Sequence, residues 1–480
     1  MRGLAEVPVE PQSPERYRSV LTAEQWQDFS SGVERARRLF AGRTIWMVNS
    51  TARGGGVAEM LTVLLPYVCG AGIGARWMVI AANPEFFRVT KRIHNHLHGA
   101  PGDSPELGAE ERRIYEDVVT DRAEELAALL GPGDIVVLHD PQTAGMCPPL
   151  RARGVPVVWR CHVGMDTPND VARSAWRFLL PYVSPADACV FSRRVFAWEG
   201  LDESRIAVVP PSIDPFSPKN YEMGETQVAA ILGAAGLQEP QGDAPPEFRR
   251  LNGRLHRVHR RAGMREETVL RPGNPLVLQV SRWDRLKDPV GVVRGFELGV
   301  AGRCDAHLML AGPSVAEVAD DPEGAQVYAE TEAAWASLPD GIRARVHLAT
   351  LPMDDDEENA VMVNALQRRA TVVVQKSLAE GFGLTVAEAM WKGRPVVASR
   401  IGGIQDQIEH GHTGLLLDDP CDMDGFGELV CRLLLDPGLA HRIGEAAQYR
   451  VREQFLGTRH LLQWVDLLGS LAEVQAAESA

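Results

Sequence analysis

The sequence predicts an α/β protein built from two doubly wound parallel sheets. Three observations lead there. The chain has 480 residues, too many for one ordinary domain. Short apolar runs alternate with helical patterns in two successive series, the pattern of strands joined by crossover helices. A proline-dense connector, Val208–Pro218, separates the two series and reads as a stiff, extended boundary. The expected domains are therefore residues 1–215 and 216–458, with a last helix, 459–480, returning to the first.

Composition narrows the function classes. Apolar residues make up 45% and charged residues 24%, the balance of a globular protein with full cores. The formal charge of −14 disfavours nucleic acid as a partner, because a polyanion is repelled at long range. Seven scattered cysteines with no C-x-x-C suit reduced thiols in a cytoplasmic protein and offer no zinc site. The N-terminus carries acids and a proline where a secretory signal needs an apolar core. The most apolar window, Met60–Ala82, is broken by Pro66, glycines and Arg76, so it reads as helix then strand with no membrane span.

In the first series, residues 1–40 form a polar lead-in that becomes helical over Ala23–Phe40. Strands are expected at Thr44–Asn49, Arg76–Ala81, Asp134–Leu138, Val155–Arg160, Ala188–Phe191 and Ile206–Val209. Between the first strand and the helix Ala58–Tyr67 stands S-T-A-R-G-G-G-V, where Gly54, Gly55 and Gly56 let a ligand approach the backbone. The loop is neither a dinucleotide fingerprint nor a Walker loop, and a tight strand-to-helix turn is the plainer reading. Two later strand ends carry His139-Asp140-Pro141-Gln142 and Arg160-Cys161-His162. C-terminal strand ends line the ligand crevice of an open parallel sheet, which favours Asp140 and His162 over ordinary structural roles. The histidine-rich helix Arg88–His98 reads as a solvated face or a subunit contact in a homodimer.

Beyond the connector, Asn220–Leu237 and Glu247–Met264 read as helices, the second with a strongly basic outer face. The second series of strands is expected at Leu276–Val280, His307–Leu310, Arg345–Leu348, Ala370–Val374 and Pro395–Ser399. Arg282 and Lys287 follow the first of these and suit a phosphate, the one as a planar fork and the other as a point charge. After Ala370–Val374 comes Q-K-S-L-A-E-G-F-G-L-T-V-A-E-A-M-W. Strand, glycine loop and helix aim backbone N–H groups at one point, with Glu380 and Glu388 eight residues apart beside it. Thr385 and Glu388 also fit a capping box, so Glu388 has a purely structural alternative. The acidic runs Asp354–Glu358 and Asp422–Asp424 read as helix caps, not as metal sites. Helices close the chain at Gly427–Leu435, Leu439–Phe455 and Arg459–Ala477.

Taken together, the Gly54–Gly56 loop, S-R-x4-K at Arg282 and Lys287, E-x7-E at Glu380 and Glu388, and Gly402-Gly403-Ile404 resemble the retaining GT-B glycosyltransferases of family four. The wording H-D-P-Q, W-R-C-H, I-D-P and S-R-W-D is similar to the trehalose glycosyltransferring synthases within it. The resemblance runs from about Thr44 to Phe455 and implies two Rossmann-like domains facing a central cleft. It implies glucosyl transfer from a nucleoside diphosphate glucose (ADP-glucose or UDP-glucose) to glucose, giving α,α-trehalose reversibly with retention. Arg282 and Lys287 would hold the diphosphate with the Leu384 and Thr385 backbone. Glu380 and the backbone of Gly381, Phe382 and Gly383 would hold the donor glucose, Glu388 the ribose, and the backbone from Leu351 the base. Gly55 and Gly56 would approach phosphate and acceptor, His162 the donor sugar, and Asp140 with Gln142 the acceptor glucose. No covalent cofactor and no protein metal site are implied, though Mg could assist the diphosphate. Trehalose phosphorylases share much of this wording, so phosphorolysis is the neighbouring alternative and a non-catalytic nucleotide-sugar binder the third.

Overall fold

In a chain of buried strands, backbone polar groups must be paired and apolar side chains must be covered on both faces. The structure, a computed structural model, meets that demand twice. It describes residues 3–52, 56–101, 107–315 and 322–478. Two compact units emerge: residues 1–212 with 455–480, and residues 213–454.

Unit 1 holds β1 (Leu4–Val7), β2 (Thr44–Asn49), β3 (Gly74–Ile80), β4 (Ile135–His139), β5 (Val157–Cys161), β6 (Ala188–Phe191) and β7 (Ile206–Val208). Their order is β1-β3-β2-β4-β5-β6-β7. All pairings are parallel except the edge strand β1, which runs antiparallel to β3. This edge strand lies inside the stretch read as a polar lead-in. β4 and β5 are buried at every position, and their side chains divide by the strand period of two. Val136 and Leu138 join Phe86, Ile93, Tyr115 and Phe178 under the helices Pro84–Leu97, Ala109–Ala127 and Asp170–Val183. Ile135 and Val137 join Ala36, Leu61, Leu65, Trp464 and Leu468 under the helices Ala23–Leu39, Gly56–Gly70 and Gly457–Glu478. The final helix therefore completes the core of unit 1, although unit 2 precedes it in the chain.

Unit 2 holds β8 (Glu247–Arg249), β9 (Leu255–Arg257), β10 (Gly263–Arg265), β11 (Leu276–Val280), β12 (His307–Pro313), β13 (Val346–Leu351), β14 (Val372–Gln375), β15 (Val396–Ser399) and β16 (Leu415–Leu417). The large sheet runs β10-β13-β12-β11-β14-β15-β16. The chain lays down β11, β12 and β13 in one direction and then returns to place β14 on the other side of β11. That reversal is a topological switch point, where loops diverge and leave a crevice.

One expectation is overturned. Glu247–Met264 is not a helix: β8 and β9 form an antiparallel hairpin, and β10 pairs antiparallel with β13 as an edge strand. Gly253 takes φ +80° at the hairpin turn, a conformation glycine adopts without strain. Arg249, Arg254, Arg257, Arg261 and Arg265 are exposed, as an outer basic face requires, but two of the cations are held by acids. Arg250 pairs with Asp355 and Glu357, and Arg260 with Glu358. Charge pairing across more than ninety residues of chain outweighs the local helical pattern. Similarly, the helix expected from Asn220 begins only at Glu225.

Glu358 is the anchor of this hairpin. Buried on the helix Asp356–Arg369, its carboxylate accepts from the N–H groups of His259 (2.6 Å) and Arg260 (2.7 Å) and from Arg260 Nη1 (2.5 Å). Glu358→Ala leaves two part-buried N–H donors without their acceptor and the Arg260 guanidinium with only the more distant Asp354 and Asp355, a loss of about 2 kcal/mol. Trypsin should then cut faster after the exposed Arg254 and Arg257. An unchanged digestion rate would show that the hairpin does not depend on this carboxylate.

Candidate active site

In unit 2 the loops after β11 and β14 flank the switch point, and hydrogen bonds lock them together. Gln279 donates from Nε2 to Lys287 O (2.9 Å), and its Oε1 accepts from Lys376 N–H (3.3 Å). Leu378 N–H donates to Leu286 O (2.7 Å). Asp288, at φ +49°, caps the helix Pro289–Gly295 through Gly291 N–H and pairs with the fully buried Lys376. This framework carries Lys287, whose Nζ lies 2.5 Å from Glu380 Oε2. Arg282 is not part of that contact. Its side chain is exposed and pairs with Asp284 Oδ2 at 2.9 Å.

The glycine loop leads into the helix Leu384–Trp391, whose cap residue Gly383 has φ +85° and offers no side-chain cap. The capping-box reading of Thr385 and Glu388 therefore fails. Thr385 Oγ1 instead donates to Gln375 Oε1 (3.1 Å). Glu388 is buried, with Lys219 Nζ 3.7 Å from Oε1. Lys392 Nζ donates to Glu388 O (3.1 Å) and Asn220 Oδ1 (3.0 Å). Burial pushes the Lys392 ammonium well below its usual range, and the neighbouring Glu388 pulls it partly back. Phe382 is buried, and Gln407 Nε2 donates to its carbonyl (2.5 Å), holding the loop from behind. Leu351 is the buried last residue of β13.

The loop is braced by Gly402 and Gly403. A Cβ on Gly402, at φ +48°, would lie 1.7 Å from Glu380 O, and one on Gly403 would lie 2.7 Å from Phe382 Cα. Gly403 N–H donates to Gly381 O (3.0 Å).

In unit 1, Asp140 follows β4 at φ +62°, a strained left-handed conformation for a residue with a Cβ. Its Oδ1 accepts from His162 N–H (2.7 Å) and its carbonyl from Trp159 Nε1 (3.1 Å), which hold that geometry. Burial pushes the Asp140 carboxyl up to about 7, against the opposing pulls of the His162 N–H and Arg160. His162 Nε2 lies 3.0 Å from His139 Nδ1, with the rings stacked. Gln142 is half-buried in the short helix Asp140–Ala144. Gly56 opens the helix Gly56–Gly70 with open space where a Cβ would stand. Gly54 and Gly55 lie outside the described residues.

The structure thus brings Lys287 to Glu380 on neighbouring loops of the unit 2 sheet, and Asp140 to His162 on neighbouring loops of the unit 1 sheet. Sequence reasoning missed Lys376, Gln279, Lys219, Asn220 and Lys392. Lys376 stood inside the quoted loop motif and Lys219 at the end of the proline connector, but only the folded chain shows Lys376 buried beside Asp288 and Lys219 half-buried beside Glu388. No group of three His, Cys, Asp or Glu suited to a metal ion occurs among the described residues. None of their helices is long and apolar enough to cross a membrane.

Two sheets of this order, with cationic and glycine loops at a switch point, define a glycosyltransferase of the GT-B class. The α,α-trehalose-phosphate synthase of Burkholderia vietnamiensis shares the fold at TM-score 0.65 and 17% identity, covering 90% of this chain and 99% of that one. Residues 47–198 match the family described as trehalose synthase, N-terminal domain, and residues 261–450 match glycosyl transferases group 1. The trehalose synthase of Rubrobacter xylanophilus is 34% identical over 465 residues, 95% of this chain and 97% of the relative. That of Pyrococcus horikoshii is 33% identical over 460 residues, 95% and 96%. A trehalose phosphorylase of Pleurotus sajor-caju is 26% identical over 94% of this chain but only 61% of its own. The chain belongs to the trehalose synthase family of glycosyltransferases.

The bracing glycines give a direct test. Gly402→Ala adds a Cβ at positive φ against the Glu380 carbonyl, so the loop must shift at a cost of about 1–3 kcal/mol. Glycosyl transfer should fall at least ~10-fold, while the thermal midpoint moves only a few degrees. Unchanged transfer would mean that Glu380 and its loop do not need this position.

Proposed function

We propose that the protein transfers glucose from a nucleoside diphosphate glucose to free glucose, forming α,α-trehalose reversibly and with retention at the anomeric carbon. The observation that carries this reading is the Lys287–Glu380 pair at the mouth of the glycine loop, a cation suited to a diphosphate beside a carboxylate suited to sugar hydroxyls. Higher identity to the trehalose synthases and near-complete coverage of them, against the more distant phosphorylase, support trehalose synthesis over phosphorolysis.

Unit 2 is assigned the donor. Arg282 and Lys287 hold the diphosphate together with the N–H groups of Leu384 and Thr385 at the helix N-terminus. Arg282 is exposed and paired with Asp284, so it can swing onto the phosphates. Once the diphosphate attracts Lys287, Glu380 is released to accept from glucose hydroxyls. Glu388 takes the ribose hydroxyls, and the backbone after Leu351 faces the base. Unit 1 is assigned the acceptor, oriented by Asp140 and Gln142, with His162 on the donor sugar and Gly56 near the phosphate.

The chemistry follows from charge. As the anomeric C–O bond breaks, negative charge grows on the leaving diphosphate, where Arg282 and Lys287 stabilise it. The acceptor hydroxyl attacks from the same face, and its proton passes to a phosphate oxygen. That route needs no protein nucleophile, and the rate rests on positioning and electrostatics. A divalent cation such as Mg would arrive with the diphosphate as part of the substrate.

Incubation with ADP-glucose or UDP-glucose plus glucose should yield trehalose and free nucleoside diphosphate. Absence of both, with glucose 1-phosphate released from trehalose and phosphate instead, would overturn the reading in favour of phosphorolysis. Arg282→Ala should lower kcat by about 100-fold or more, the loss of one transition-state charge contact. Near-normal turnover would remove Arg282 from the diphosphate.

Ionised Asp140 accepts hydrogen bonds from the acceptor sugar, and its carboxyl is raised to about 7. Turnover with limiting glucose should therefore fall as pH drops through about 7, because protonation removes that acceptor. Asp140→Asn should be slow at every pH and lose this limb. A limb that persists in the variant would belong to another group.

A further inference from the structure

Two buried thiols of unit 2 lie in contact. Cys304 Sγ is 3.1 Å from Cys431 Sγ, although 127 positions of chain separate them. Cys69, Cys161 and Cys189 of unit 1 instead turn their sulfurs to backbone carbonyls. A disulfide bond is about 2.05 Å long, so an approach of about 1 Å completes one between Cys304 and Cys431. Cys304 stands three residues before β12, at the N-terminal edge of the parallel strands. The loops of the candidate site leave from the opposite edge.

Backbone packing sets this distance. The helix Met423–Leu435 rests on the turn Phe296–Val300 through two glycines, and a Cβ on Gly299 would lie 2.6 Å from Gly427 Cα. No Cβ fits between the two backbones there. Cys431 follows Gly427 by four residues and so shares its helix face. Its Sγ lies 3.6 Å from Gly299 O. The other thiol is pinned as firmly. Cys304 N–H donates to Val300 O (2.9 Å), its carbonyl accepts from Arg345 Nη1 (3.0 Å), and Arg345 Nη2 donates to Ala301 O (2.8 Å). Exposed Gly302, Arg303 and Asp305 flank Cys304, leaving a short loop between its thiol and solvent.

We propose that Cys304 and Cys431 form a redox-dependent disulfide, made by exchange with a small soluble disulfide, that staples the helix Met423–Leu435 to the start of β12. One protein thiolate attacks a sulfur of the oxidant, forming a mixed disulfide and expelling a small thiolate. The second protein thiolate attacks the protein sulfur of that mixed disulfide and expels the other. The two protein sulfurs lose an electron pair and two protons, and the oxidant takes up both as two free thiols. The bond closes a loop that contains β12, β13, β14, β15 and β16, five of the seven strands of the large sheet. Restricting so long a loop in the unfolded chain favours the folded unit. Burial, and then the Cys304 thiol beside it, push the Cys431 thiol up to about 12 against the opposing Arg303 charge, so exchange is slow. The bond forms over hours and acts on stability, not as a fast switch.

The test incubates the full chain with oxidised glutathione for hours, blocks the remaining thiols under denaturing conditions, and reads the digest by mass spectrometry without reductant. A linked pair of peptides bearing Cys304 and Cys431, absent after dithiothreitol, is the expected product. Recovery of both as blocked thiols, or a link from either to the exposed Cys421, would overturn the proposal with no variant having to fold. On oxidation the thermal midpoint should rise by about 5 °C or more, and it should return on reduction. Cys431→Ser and Cys304→Ala should each lose both the link and the rise. A rise that persists in these variants has another source and would refute the stapling role, as would a link that leaves the midpoint unmoved.

Discussion

The interlock between the loops after β11 and β14 is the constraint on which unit 2 depends. Parallel strands bring these two loops side by side only because the chain reverses direction across β11. Gln279, reaching from β11 to Lys287 O and Lys376 N–H, converts that adjacency into fixed distances. Lys376 and Asp288 add an ion pair beneath, and Gly402 and Gly403 close the far side. Lys287 and Glu380 then meet although ninety-three residues separate them. The support of this pair cannot move without disturbing buried strands.

Both units keep charges where burial is costly. Arg160, Lys376, Lys392, Glu358 and Glu388 are all buried. An isolated ion in such surroundings costs several kcal/mol, so each persists only with partners that replace its hydration. Glu358 finds two backbone N–H groups and Arg260, while Lys376 finds Asp288. Arg160 is gripped by a carbonyl, an imidazole and an aromatic face. These are poor devices for stability alone, because well-packed apolar residues would do as well. Arg160 lies against His162, Lys376 pairs with Asp288 under the Lys287 loop and Lys392 meets the Glu388 carbonyl, whereas Glu358 anchors the hairpin.

Much of this was legible from local pattern. Strands Thr44–Asn49, Ala188–Phe191 and Leu276–Val280 stand where the apolar runs put them, since a strand buried on both faces must be apolar throughout. Asp355 and Asp422 cap helices as their positions suggested. The failures share one cause. The stretch Glu247–Met264 looked helical and basic, yet two of its arginines answer to acids on a distant helix. Strands of three or four residues such as β1, β10 and β16 are too short for their own periodicity to show. Glu388 looked like a cap because Thr385 stood three residues before it, but Thr385 turns to Gln375.

By itself, the sequence determined the two α/β series, the loops that end their strands and the residue types that chemistry could use there, because each depends on spacing within a few residues. The tertiary structure decided which of those residues meet. It joined Lys287 to Glu380, tied Asp140 to the His162 backbone, and set Trp464 and His460 of the final helix against Arg160. Such contacts depend on strand order and on which face a distant helix covers, and no local spacing encodes either.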